Sequence, residues 1–316
     1  MQATSLDGTR LNVEIHGGLQ AHLPSVVLIH GNGCSIPFWA PVIRALRDDL
    51  HIVVYDQRGH GGSDTPGPAG YSTSALADDL AAVLARALPD GGPAVLAGHS
   101  MGGVAIMAAA LRDGALSQVT GVLLASTGCA DLMSEALGVR FGGLVPPFAV
   151  AAQQWLLTSA VPIGPVTPIT RAALSYLMLG PGAPAEVAAA NAAIIQAGDR
   201  HARAAWGHVL ASVDVTEGAR RLDVPAHVLV GTSDLLTPPG LARRLAELLP
   251  SCEGLTQLPG VGHMTPLEAP GVVAELIRKL AAETERAAPP ARLTRRSRDL
   301  WLAITSIRER GRRSTQ

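Results

Sequence analysis

The sequence predicts the α/β class, with a mostly parallel sheet covered by helices on both faces. Three observations carry this. Short, unbroken apolar runs such as Val26-Val27-Leu28-Ile29 and Ile52-Val53-Val54-Tyr55 read as strands buried on both sides, because a strand with one wet face alternates apolar and polar residues. Segments with apolar residues at helical spacing separate these runs, and such strand-helix repetition implies right-handed crossovers between parallel strands. One run, Ala94-Val95-Leu96-Ala97, passes into helix-forming sequence through Gly98-His99-Ser100-Met101-Gly102-Gly103, a turn too abrupt for most side chains. Hydrophobic residues make up 47% and charged residues 16% of the 316, which allows a large core with an inserted subdomain.

The elements follow in order. Residues 4–16, with Leu11, Val13 and Ile15 on one side of the pleat, read as one or two edge strands. Ser25 to His30 is a buried strand ending in Gly31-Asn32-Gly33. Trp39, Val42, Ile43, Leu46 and Leu50 then form the apolar face of a helix. After the strand His51 to Asp56 and a glycine-rich loop, Ser72 or Ser74 caps a helix whose inner face is Leu76, Leu80, Val83, Leu84 and Leu88. The Ser100 turn leads into a helix over Val104 to Leu111, and Val119 to Ala125 is the next strand. This first part of the core spans residues 1–127.

Between residues 128 and 222 the alternation stops and helix-like sequence takes over. Phe141 to Thr170 contains no charged residue, yet prolines 146, 147, 162, 165 and 168 divide it and leave 14 residues between Pro147 and Pro162. A membrane span needs about 20. The segment therefore reads as a helical cap whose apolar inner face lines a substrate cavity. The core resumes over 223–287 with the strand Ala226 to Gly231 and a helical face at Leu241, Leu245, Leu248 and Leu249. A short strand over 254–258 follows, then a helix from Pro270 with Val272, Val273, Leu276, Ile277 and Leu280 inward. Residues 288–316 form a basic tail.

At the apex of the strand-to-helix turn, Ser100 is forced into a strained backbone conformation, and glycines on either side remove Cβ atoms that would collide. The hydroxyl projects out of the sheet. This G-x-S-x-G stretch is a nucleophile elbow, and on it the sequence resembles the α/β-hydrolase superfamily. The resemblance covers about Leu11 to Leu280 in its sheet elements and motifs. It implies a mostly parallel eight-stranded sheet with a cap inserted after the sixth strand, catalytic loops at the carboxyl ends of the strands, and no cofactor.

A serine hydroxyl needs a base, and the base needs a group to hold its tautomer. His263 lies in Gly260-Val261-Gly262-His263-Met264-Thr265-Pro266, after the last strand, and Asp234 lies in Gly231-Thr232-Ser233-Asp234, just past the strand before it. The order Ser100, Asp234, His263 is that of the α/β-hydrolases. Asp131, which follows the strand after the elbow, is the rival acid, while Asp223 precedes its strand and sits at the wrong end. Negative charge developing on a carbonyl oxygen needs waiting donors. The backbone N–H of Met101, at the helix start, supplies one, and the resemblance of His30-Gly31-Asn32-Gly33 to the family's oxyanion turn implies that the Asn32 N–H supplies the other. Asp56-Gln57-Arg58-Gly59-His60-Gly61-Gly62-Ser63 resembles a family loop in which Asp56 and Arg58 brace the structure, so His60 is expected to have no catalytic role. His99 is expected to pack.

Other chemistries find little support. The ten histidines form no H-x-x-x-H or H-E-x-x-H pattern, so no metal is expected, and no Walker-type lysine follows the glycine-rich turn. Three well-separated cysteines do not make a disulfide framework, and the first 25 residues lack an unbroken apolar signal core, which together point to the cytoplasm. No nucleic-acid partner is expected. After Pro289, eight arginines face only Asp299 and Glu309, a local balance of about +6 in a chain of formal net charge −1. Leu293, Leu300, Ile304 and Ile307 share a helical face there, although Leu302 lies opposite. Peripheral contact with an anionic membrane, docking on the chain's own core or a partner subunit, and a disordered tail all remain open for it.

The expected activity is cleavage of carboxylic esters with a lipophilic portion, esterase-like or lipase-like, by Ser100, His263 and Asp234. Thioesterase, perhydrolase, acyltransferase and carbon-carbon bond hydrolase reactions use the same three residue types, since acceptor choice resides in the cap. An inactive interaction protein is the alternative of a different class.

Overall fold

In the central strands, residues whose side chains point alternately up and down are apolar nearly throughout, and they build two cores at once. The computed structural model describes residues 1–17, 24–88, 92–132 and 158–287, with side chains to residue 283. Its eight strands are β1 (Gln2–Thr4), β2 (Arg10–His16), β3 (Ser25–Ile29), β4 (His51–Tyr55), β5 (Ala94–His99), β6 (Val119–Ala125), β7 (Ala226–Gly231) and β8 (Cys252–Leu258). They form one sheet in the order β1-β2-β4-β3-β5-β6-β7-β8. The pairs β1·β2 and β2·β4 are antiparallel, and every pair from β4·β3 to β7·β8 is parallel.

Helices α1 (Ala40–Leu46), α2 (Thr73–Ala87) and α3 (Met101–Ala109) connect the first strands. Between β6 and β7 come α4 (Pro168–Met178), α5 (Ala185–Ala197), α6 (Arg200–Ala211) and α7 (Thr216–Arg220). The chain then adds α8 (Pro239–Leu248), the short α9 (Thr265–Glu268) and α10 (Pro270–Ala287). Val27, Ile29, Leu96, Val122 and Val228 meet α2, α3 and α8 on one face of the sheet. On the other, Val26, Leu28, Val95, Leu123 and Leu229 meet α1 and α10. Each fully buried aliphatic side chain contributes about 1.5–3 kcal/mol, so central strands that are apolar on both faces hold both layers.

Local signals set the element boundaries. Ser72 caps α2, its hydroxyl accepting the Ala75 N–H at 3.1 Å, and Thr167 caps α4 with a reciprocal pair of bonds to Thr170. Differences from the sequence reading lie at element ends. Ile15 is 38% exposed rather than inward, and Leu111 is 40% exposed because α3 ends at Ala109. The last strand begins at Cys252, two residues earlier than its apolar part. Most of the uncharged run over 141–170 and all of the basic tail lie outside the described residues. Among the described residues no helix is long and apolar enough to cross a membrane.

Candidate active site

At the carboxyl end of β5 the chain turns into α3 through Ser100, whose φ of 52° and ψ of −117° lie where L-residues are strained. Glycine makes the turn sterically possible. A Cβ on Gly98 would sit 2.7 Å from Gly102, and a Cβ on Gly102 would collide with the Ile29 carbonyl of β3. The Ser100 N–H donates to Ala125 O at 3.0 Å and the Thr127 hydroxyl to Ser100 O at 2.8 Å, so the strained residue is held from β6 as well.

His263 follows β8 and Asp234 follows β7, and the parallel register brings these two loops side by side. The His263 Nδ1–H donates to Asp234 Oδ2 at 2.9 Å and lies 3.1 Å from Oδ1, both side chains being buried. Nε2 is thereby left as the acceptor nitrogen. Asp234 Oδ1 also takes the N–H groups of Leu236 and Thr237 at 2.9 and 2.8 Å, and the Thr237 hydroxyl donates to Oδ2 at 2.8 Å. Burial alone would raise the Asp234 carboxyl, but the charge and hydrogen bond of His263 and the bonds from Thr237 outweigh it and hold the pKa below the usual range. Asp131 is elsewhere: its carboxylate is 62% exposed and pairs with Arg244 at 3.1 Å.

Ser100 and His263 open onto one cavity of about 440 Å³. No direct hydrogen bond links the Ser100 hydroxyl to the imidazole among the described residues. Asn32 lines the same cavity, and Met101 opens α3 beside it. Neither backbone N–H has an acceptor among the described residues. Leu174 and Leu177 of α4, Ile195 of α5 and Leu210 of α6 make the opposite wall largely aliphatic. Cys34 also lines it, but burial pushes the thiol up to about 12, so it stays protonated at neutral pH.

Two buried histidines hold the turn that carries Asn32. His30 Nδ1–H donates to Gly31 O at 2.8 Å while its Nε2 accepts the Gln57 N–H at 3.0 Å. His60 Nε2 accepts the Gly33 N–H at 3.0 Å, and its Nδ1–H donates to Arg58 O at 3.1 Å. Burial, reinforced by His30, pushes His60 down to about 3, which leaves it neutral and able to accept. His60 thus fixes the turn without touching the cavity. Below it, Asp56 takes the N–H of Ile36 at 2.8 Å and that of Gly62 at 2.9 Å. The buried Arg58 grips Asp79 at 2.7 and 2.6 Å and Asp7 at 2.7 Å. The expected bracing by Asp56 and Arg58 is what these contacts do.

His99 does more than pack. Its Nε2–H donates to the His263 carbonyl at 2.9 Å, and its ring packs at a tilt between Phe38, with centroids 4.7 Å apart, and His263 at 4.8 Å. Sequence reasoning also missed Thr237 and Glu268. Glu268 accepts the Gly262 N–H at 3.0 Å and the Gly180 N–H at 2.7 Å, and the Met178 carbonyl takes the His263 N–H at 2.8 Å. The loop bearing His263 is therefore tied to the end of α4. Nothing short-range could have found these bonds, although Thr237 sits inside the same Gly231-to-Pro238 stretch as Asp234. Among the described residues no group of three His, Cys, Asp or Glu side chains could hold a metal ion.

A profile of the alpha/beta hydrolase family matches residues 26–276, from β3 into α10. The chain belongs to the alpha/beta hydrolase family. Among curated relatives of this hydrolase, a putative carbamate hydrolase RutD from Caulobacter sp. (strain K31) is 27% identical over 85% of the chain and 94% of that protein. The RutD of Agrobacterium fabrum is 34% identical, but its match spans 33% of the chain and 39% of the relative's length. Among solved structures, a thermophilic esterase from Thermogutta terrifontis superposes with a TM-score of 0.68 at 25% identity, over 90% of this chain and 98% of that one.

Proposed function

We propose that this hydrolase cleaves carboxylic esters with a lipophilic portion through an acyl-enzyme on Ser100. The observation that carries the reading is the buried Asp234–His263 pair, at 2.9 Å, opening onto the same largely aliphatic cavity as the strained Ser100. Ser100 Oγ attacks the ester carbonyl carbon as its proton passes to His263 Nε2. The oxyanion that forms is met by the N–H groups of Asn32 and Met101, the latter at the positive end of α3. Collapse breaks the bond to the alkoxy oxygen, which leaves with the proton from His263. A water molecule then gives its proton to His263 and its oxygen to the acyl carbon, the Ser100–acyl bond breaks, and His263 returns the proton to Ser100. Asp234 keeps the proton on Nδ1 and stabilises the imidazolium. Loss of one oxyanion donor costs about 10²- to 10³-fold in kcat.

The helices described between β6 and β7 act as a cap, in this reading, and select the acyl or alcohol portion. The names of the curated relatives favour a second reading, hydrolysis of a carbamate, whose carbonyl would accept the same attack. The ester reading is supported by the cavity, because about 440 Å³ of mostly aliphatic lining exceeds what a small carbamate fills. A p-nitrophenyl ester series from acetyl to palmitoyl tests the proposal: kcat/KM peaks at a chain longer than acetyl, with a hydroxylamine-trappable acyl group on Ser100. A flat, near-zero series with turnover of carbamates transfers the assignment to the second reading. The basic segment after residue 287 lies outside this chemistry, and failure of the full-length chain to float with anionic vesicles removes membrane contact.

A further inference from the structure

The cavity wall holds a cation that the ester chemistry does not use. Arg203 of α6 is the one lysine or arginine among the described residues that line the cavity. Its position against the Asn32 turn is set twice over. The Asn32 side-chain amide donates to the Arg203 carbonyl at 3.1 Å, and the Arg203 Cδ lies 3.9 Å from where a Cβ on Gly33 would stand. The stem of the arginine thus crosses the turn that carries the Asn32 N–H. Its guanidinium gives one hydrogen bond, from Nη2 to the Val161 carbonyl at 2.8 Å. Most of its five N–H donors are left over.

No carboxylate among the described residues lies within ion-pair distance of Arg203. Asp199 is the carboxylate that acts on it electrostatically, but Asp199 is engaged by the N–H groups of His201 and Ala202 at 2.8 and 2.7 Å, capping α6. Burial lowers the pKa of Arg203, which an arginine tolerates without losing its proton. A half-buried guanidinium without an anionic partner costs desolvation, and that cost is recovered when an anion pairs with it in fork geometry. Arg203 also borders a second, more polar depression lined by Gly61, Thr65, Gln196 and Asp199, so a group reaching it from the cavity stays near solvent.

Resting on the ester reading above, we propose that Arg203 recognises a carboxylate carried by the acyl portion of the substrate, so that monoesters of aliphatic dicarboxylic acids are the preferred class. The aliphatic wall holds the methylene chain and Arg203 holds its far end.

The test compares the monohexyl ester of adipic acid with its neutral ω-amide, which has nearly the same shape. On wild-type protein, kcat/KM for the acid exceeds that for the amide by about tenfold, the worth of one charge-assisted bidentate contact. Arg203→Met collapses that ratio toward one, and Arg203→Lys retains part of it. Calorimetric titration of the same two esters into Ser100→Ala reads the preference without turnover: the acid binds about tenfold tighter, and adding Arg203→Met abolishes the difference. Equal affinities in Ser100→Ala, or a preference that survives Arg203→Met, overturn the assignment of Arg203. Absence of turnover on both esters with the binding preference intact overturns the ester reading and leaves the anion site standing.

Discussion

The loops at the carboxyl edge of the sheet and the helices that cover them are built on different terms. In the loops, charged and imidazole groups have several partners each: Asp234 is held by His263, Leu236 and Thr237, Arg58 by Asp79 and Asp7, and the Asn32 turn by His30 and His60. The covering helices meet the cavity mainly with aliphatic side chains, Leu174, Leu177, Ile195 and Leu210, beside Thr170 and Arg203. Among the described residues, polar ties between them and the loops use a main-chain group on at least one side where Trp206 Nε1–H donates to Arg58 O at 3.2 Å and where His263 N–H donates to Met178 O. Groups that move protons need fixed geometry, and multiple hydrogen bonds over-determine it. A wall that sorts substrates by shape and apolar area needs volume, which many side chains supply equally well.

That contrast can be broken by mutation. The largest effect falls on the most constrained group: Asp234→Asn lowers kcat by about 10³- to 10⁴-fold, measured on a short-chain ester, because the wrong imidazole tautomer is then held. A loss below tenfold would show that the loop does not fix the proton. Next, Arg58→Met leaves Asp79 buried without its cation and destabilises the fold by about 3–5 kcal/mol in urea unfolding. By comparison, Leu174→Ala in the cover costs about 1 kcal/mol or less, since Leu174 is only partly buried, while it changes the ratio of kcat/KM between long and short acyl chains. Equal destabilisation by the two substitutions would erase the distinction between loops and cover.

The smallest effect is a pH dependence. The Arg58 hydrogen bond, followed by the Thr9 N–H, holds the Asp7 carboxyl down at about 2, against an ordinary value near 3.8. A depressed native pKa stabilises the fold at pH values above the unfolded pKa, and the contribution fades as pH falls from about 4 through about 2. Asp7→Asn therefore lowers Tm at neutral pH, and the difference from wild type closes toward pH 2. Parallel Tm curves across that range would remove Asp7 from the network's electrostatics.

The same division explains what could be read from sequence. Elements whose geometry restricts residue type were legible: the glycines about Ser100 because a Cβ collides there, the unbroken aliphatic runs because both faces are covered, and the approach of Asp234 to His263 because both follow neighbouring strands. Contacts made between distant backbones were not. Glu268 binding Gly180 and Gly262, the His99 bond to the His263 carbonyl, and the His60 bond to the Gly33 N–H all join segments whose approach depends on the finished fold. Arg203 was hidden for the same reason, since nothing local distinguishes it from Arg200 three positions earlier.

Labelling with a fluorophosphonate probe, followed by peptide mass mapping, tests the central claim most directly. One adduct is expected on Ser100 in wild-type protein, none in Ser100→Ala, and a labelling rate at least about 10²-fold lower in His263→Ala, whose hydroxyl has no base. An adduct on another residue, or undiminished labelling in His263→Ala, would contradict it.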